Sequence, residues 1–154
     1  MRTMLLSLKP EVFENVCMGK KIFEHRRVFP DDEVKAYIYI SRPVQALAGI
    51  MYLGNKVSLC DWRVQYADDK EAVKRIDAYM EHHKVAMEIQ KFQNTSRILL
   101  NEIKDCFPDF LIPQMYYYLD GLPLLDYLEK NLTPIDMPVI HTFDNITSDM
   151  ICIH

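Results

Sequence analysis

Hydrophobic and polar positions alternate from the start of the chain: Met4, Leu6 and Leu8 are interleaved with Leu5, Ser7 and Lys9. This period of two predicts a strand whose faces meet different surroundings, with Ser7 and Lys9 sharing a face. Pro10 suits the first turn of a helix, and Val12, Phe13, Val16 and Cys17 follow at helical spacing. Gly19 fits the left-handed residue that ends such a helix. From Lys20 to Arg27 the chain alternates again, with Glu24 and Arg26 on one face and Lys21, His25 and Arg27 on the other. Phe29-Pro30-Asp31-Asp32 reads as a turn, and Val34, Ala36, Ile38 and Ile40 mark a strand that stops at Arg42-Pro43. Val44 to Leu53 reads as the next strand, with Gly49 a bulge or bend and Gly54-Asn55 a turn.

Past Asp68 the period changes. Val73, Ile76, Met80, His83 and Met87 recur at three and four residues, which predicts a helix from an Asp68 or Asp69 cap to about residue 92. Gln93-Asn94-Thr95 interrupt it, and Ile98, Leu99, Leu100 and Ile103 predict a second helix ending before Pro108. Phe110 to Leu119 is strand-like, Pro123 opens a short helix through Leu128, and Met150, Cys152 and His154 alternate as a closing strand. Strands early, helices in the middle and strands late make an α+β domain.

A chain of 154 residues fits one domain with a substantial core. Its hydrophobic share of 49% and charged share of 26% exclude a disordered chain. The apolar start is broken by Lys9, Pro10 and Glu11 before a signal sequence is complete, and no run approaches the ~18 residues of a membrane span. These features predict a cytoplasmic protein without a membrane partner. Cys17, Cys60, Cys106 and Cys152 are scattered, with no histidine at ligand spacing, so neither a metal site nor a cofactor is expected. A net charge of −4 argues against binding along a long nucleic-acid backbone and leaves room for a small positive pocket.

Lys9, Lys21, Glu24 and Arg26 form a polar constellation that would suit a cleft: the cations hold an anionic or carbonyl group while the carboxylate accepts an N–H. The plainer reading pairs Glu24 with Arg26 or Lys21 on a solvated surface, where the pair contributes about 0–1 kcal/mol. Tyr37 and Tyr39 share a strand face and could stack on bases, or simply pack. Gln114 could read a base edge or cap a turn. His82 and His83 point about 100° apart on a helix, which disfavours joint metal binding. No catalytic role is assigned to His25, and Met80, Met87 and Phe92 read as core.

The segment Lys9-Pro10 followed by Gly19-Lys20-Lys21-Ile22-Phe23-Glu24-His25-Arg26 resembles the signature of the activating signal cointegrator homology (ASCH) family, a branch of the PUA-like small β-barrels. Tyr37 to Val44, with Ser41-Arg42-Pro43, is similar to the family's next strand and Ser-x-Pro turn, and Ile112 to Tyr117 to a Pro-Gln-x-Tyr segment of some members. The resemblance is good over 4–53, patchy around 107–128 and absent over about 61–106. It implies a small PUA-like mixed barrel with a helix after the first strand and a mainly helical insertion at 61–106. It also implies a ligand site for RNA, a nucleotide or a nucleoside at Lys9, Lys21, Glu24, Arg26 and Arg27. Some related members are amide hydrolases of acylated cytidines, with a Gly-x-Lys-Thr-x-Thr-x-Arg pattern. Glu24 stands where that pattern has a threonine, which leaves Lys21 and Glu24 as the catalytic candidates. A third expectation is a protein partner bound through the helical segment; the oligomeric state is left open.

Overall fold

The computed structural model describes residues 1–154. The chain order is β1 (Arg2–Leu8), α1 (Pro10–Cys17), β2 (Phe23–Arg26), β3 (Val34–Ile40), β4 (Ala46–Ser58), α2 (Leu59–Gln65), α3 (Lys70–Met80), β5 (Val85–Gln93), β6 (Ile98–Leu99), α4 (Leu100–Cys106), β7 (Tyr116–Tyr118), α5 (Pro123–Asn131) and β8 (Val139–Ile140), with a 3₁₀ turn at Ser148–Met150. One mixed sheet runs β2-β5-β4-β3-β1-β7, with β6 beside β4 and β8 beside β5. It curls into a half-barrel, within the α+β small-barrel class expected. β1 is its parallel member, beside β3, and is antiparallel to β7. No helix is long and apolar enough to cross a membrane.

Both faces of β1 are covered, so its alternation separates two cores. Met4, Leu6 and Leu8 join Ile38, Ile40, Met51, Ile89 and Phe92 inside the curl, where Phe13 and Val16 of α1 close over them. Leu5 faces outward to Tyr37, Tyr39, Leu47 and Ile103, under Leu124 and Leu128 of α5. Tyr37 and Tyr39 are each 1% exposed, so they are core residues and not surface platforms for bases. A third cluster packs α2 and α3 on β2 through Phe23, Trp62, Ile76 and Tyr79, with Ile151 and Cys152.

Three other sequence expectations change. Asp69 caps α3, its side chain accepting from the Ala72 N–H at 3.1 Å, but α3 stops at Met80. Residues 85–93 are strand β5, between β2 and β4. Met87 falls at helical spacing from Met80 and His83 and also at strand spacing from Ile89, so pairing with β2 and β4 decides the matter. The segment 61–106 therefore contributes a strand to the middle of the sheet and is no detachable helical insertion. Gly54-Asn55 is a bulge inside the long strand β4 and not a turn. Residues 151–154 make no closing strand: Cys152 turns left-handed at φ +56°, and the segment is held by side chains instead.

Gly49 has φ +89°, and a Cβ there would lie 2.9 Å from the Phe92 ring and 3.1 Å from Phe13. Only glycine lets β4 bend beneath α1 at this point. That bend sets the helix against the sheet at the edge where the polar residues collect.

Candidate functional site

Gly19 lets the chain reverse after α1 at φ +74°, and the Lys20 and Lys21 amides donate to the Asn15 carbonyl at 3.0 and 3.1 Å. This hairpin of helix and strand starts Lys21 at the edge of the sheet and sends the chain into β2. Pairing of Glu24 with Met87 and of His25 with Ala86 then fixes which way each β2 side chain points. At the far end of β1, the Ser41 amide donates to the Leu8 carbonyl at 2.9 Å, closing the Ser-x-Pro turn onto Lys9.

Between these elements lies a cavity of about 570 Å³, within the range of small-ligand sites. Ser7, Lys9, Lys21, Glu24, His25, Arg26 and Ser41 line it from the first strands and turns. Tyr79, His82 and His83 line it from the end of α3, with Gln114 and His154 at its margin. The structure thus brings Lys9, Lys21, Glu24 and Arg26 together. Arg27 is exposed and does not line the cavity.

Lys21, Glu24 and His25 are 3%, 5% and 4% exposed, which is unusual for such groups. The Arg26 Nε lies 3.5 Å from Glu24 Oε1, and its Nη2 donates to the Ser7 carbonyl at 2.9 Å, tying β2 to β1 across the opening of the half-barrel. Glu24 Oε1 also accepts the His25 N–H at 3.1 Å. Glu24 Oε2, His25 Nε2 and the Tyr79 hydroxyl are buried without a hydrogen-bond partner. The Arg26 Nε, 3.5 Å from Glu24, makes no hydrogen bond either, and four such polar atoms on residues lining one cavity are what a polar-ligand site presents.

Burial also sets the charges. It pushes His25 well below the ordinary histidine range, reinforced by Lys21, His83 and His154, so the imidazole is neutral. Burial lowers Lys21, with Glu24 opposing and Arg26 reinforcing the shift. His83 is lowered by burial, and Tyr79 is raised by it and stays a neutral phenol. No three His, Cys, Asp or Glu side chains gather as a metal site.

His25, Tyr79, His83 and His154 carry no shared signal in the sequence because they come from three separate segments: β2, the end of α3 and residues 148–154. The adjacent His82-His83 pair was visible, but nothing local placed it opposite β2.

The fold matches solved structures of the ASCH protein of Zymomonas mobilis. One aligns at TM-score 0.67 and 22% identity over 88% of this chain and 99% of that one. This chain has the fold of an ASCH domain. A tyrosine-to-phenylalanine mutant of the same protein aligns at TM-score 0.66 and 22% identity, covering 86% of this chain and 100% of that one. A serine-to-alanine mutant aligns at 0.64 and 24%, covering 84% and 96%. No protein-family model matches the chain, and no curated protein matches it. At this identity the likeness establishes the ASCH fold and leaves the chemistry of the cleft to its own residues.

Proposed function

We propose that this ASCH-fold protein binds a nucleotide, free or at the end of a single-stranded RNA, in the cleft between α1, β2 and α3. The observation that carries the reading is Glu24 Oε2, a buried acceptor without a donor, in a cavity that also holds Lys9, Lys21 and Arg26. A base N–H satisfies the carboxylate, and the cations meet carbonyl or phosphate oxygens. A small positive cleft on a chain of net charge −4 favours a compact ligand over a long duplex.

The test is a thermal-shift panel of nucleoside monophosphates and short single-stranded RNAs on wild type and Lys21→Ala/Glu24→Gln. At a hundredfold excess over Kd, binding adds about 2.7 kcal/mol, or roughly 5–11 °C for a domain of this size. A shift confined to wild type supports the site. An equal shift in the variant, or no shift from any compound, overturns the reading.

One observation favours a second reading, hydrolysis of a small amide or nucleoside derivative: the Lys21 amine, 3% exposed and lowered in pKa by burial, shares the cleft with Glu24. Turnover of an acylated cytidine lost in Lys21→Met supports it. Turnover that survives removal of both side chains eliminates it.

A further inference from the structure

The Lys21 amine is held on two sides by groups outside the charged constellation. Its Nζ donates to the Ile153 carbonyl at 2.6 Å and lies 3.3 Å from His25 Nδ1. A tetrahedral amine nitrogen bonded to Cε has three remaining directions, and these contacts take two of them. We propose that the segment 148–154 and His25 are positioning elements for Lys21, leaving a single directed amine position to meet the ligand. This inference rests on the cleft being the binding site.

The segment is built to hold that carbonyl still. Arg75 Nη2 on α3 donates to the Ser148 carbonyl at 2.6 Å, and the Ser148 hydroxyl bonds the carboxylate of Asp69, the α3 cap. Ile151 and Cys152, 0% and 3% exposed, sink between Phe23, Trp62 and Tyr79. Beyond Ile153, the His154 ring stacks on Tyr79 at 5.1 Å, and Asn15 Nδ2 on α1 donates to the His154 main-chain oxygen at 2.7 Å. The segment is a strap from α3 to α1, and the Lys21 contact falls between its ties.

His25 supplies the second direction. A neutral imidazole that accepts at Nδ1 carries its proton on Nε2, the atom that is buried without a partner. The contact with Lys21 therefore selects the tautomer that offers a second donor on a residue lining the cleft. The titratable or charged groups around Lys21 are Glu24, His25 and Arg26 on β2, His83 after α3, and Cys152 of the strap.

Imidazole and lysine side-chain ¹⁵N spectra of the ligand-free protein test this without reference to binding. The expected result is His25 protonated on Nε2 and a Lys21 titration below that of ordinary lysines. Asn15→Ala/Arg75→Ala, which removes one tie at each end of the strap and replaces none of the residues that line the cleft, moves the Lys21 titration upward as water reaches it. It also weakens uridine 5′-monophosphate binding about tenfold, the loss of one well-placed charged hydrogen bond. Should the double variant fail to fold, the single Asn15→Ala variant carries the test. His25→Gln, which keeps an acceptor, leaves the Lys21 titration where it is, whereas His25→Leu removes an acceptor of the ammonium and moves it further down. A wild-type His25 protonated on Nδ1, or a Lys21 titration unchanged in the untied protein, overturns the inference. A nucleotide panel without binding refutes the proposed function but leaves these spectra to decide the strap's role.

Discussion

Acidification perturbs the cleft through one identifiable group. His25 is 4% exposed, packed at ring-centroid distances of 4.7 Å from Tyr79 and 6.1 Å from Trp62, and close to the Lys21 amine. Burial and that amine hold its folded-state pKa well below its unfolded value of about 6.5. Below pH about 6.5 the unfolded chain takes up a proton that the folded chain refuses, so stability present above that pH is lost as pH falls. The slope is half of about 1.4 kcal/mol per pH unit at pH about 6.5 and approaches the full value below it, or about 1.6 kcal/mol between pH 6.5 and pH 5. Against a net stability of about 5–15 kcal/mol this is a measurable fraction. His83 and His141, both lowered by burial, act in the same direction but are only partly buried. Asp69 and Asp149, lowered by hydrogen bonds from Ser148 and Thr147, act below pH about 4 and leave the window clear. Urea unfolding across this range, on wild type and His25→Gln, isolates the effect: the variant loses about one proton's worth of slope. Identical pH dependence in the two proteins would refute the argument, as would a directly titrated folded-state pKa at or above 6.5.

Three further outcomes are expected. Arg26→Met strands the Glu24 carboxylate; the pair is long at 3.5 Å and Lys21 remains nearby, so the expected cost is about 2–3 kcal/mol, below the usual range for a broken buried pair. A urea-midpoint change worth under about 1 kcal/mol would place the carboxylate in water. Gly49→Ala adds a Cβ at φ +89° against Phe92 and Phe13, for an expected loss of about 2–4 kcal/mol and a melting-temperature drop of roughly 10 °C. Tyr37→Ala, at a ring 1% exposed, costs about 3–5 kcal/mol in denaturant unfolding; a surface stacking residue would cost about 0.5 kcal/mol or less.

Much of the local structure is legible in the sequence. The Leu-rich alternation, Pro10 and Gly19 marked β1 and α1, and both are found where those signals put them. The same stretch located Lys9, Lys21, Glu24 and Arg26, since the spacing of two put Glu24 beside Arg26 and the helix between Lys9 and Lys21 is short. Such features depend on neighbours within a turn or two of chain, where steric and capping rules act directly. What misled was any pattern open to two periods. Met87 fits a continued helix or a new strand, and only pairing across the sheet chose the strand. Tyr37 and Tyr39 alternate in the same way whether their face meets water or another core, and α5 settled that they meet a core.

Residue spacing alone thus set the elements around the first helix and put Glu24 and Arg26 on one strand face, while the small barrel was implied by the family resemblance. Tertiary structure decided that Glu24 and Lys21 are buried, that His25, Tyr79 and His83 stand beside them, and that residues 148–154 strap Lys21 in place. The division follows from range. Strand and helix periods are written in steps of two to four residues, whereas burial, and with it every shifted protonation in the cleft, depends on segments brought together from across the whole chain.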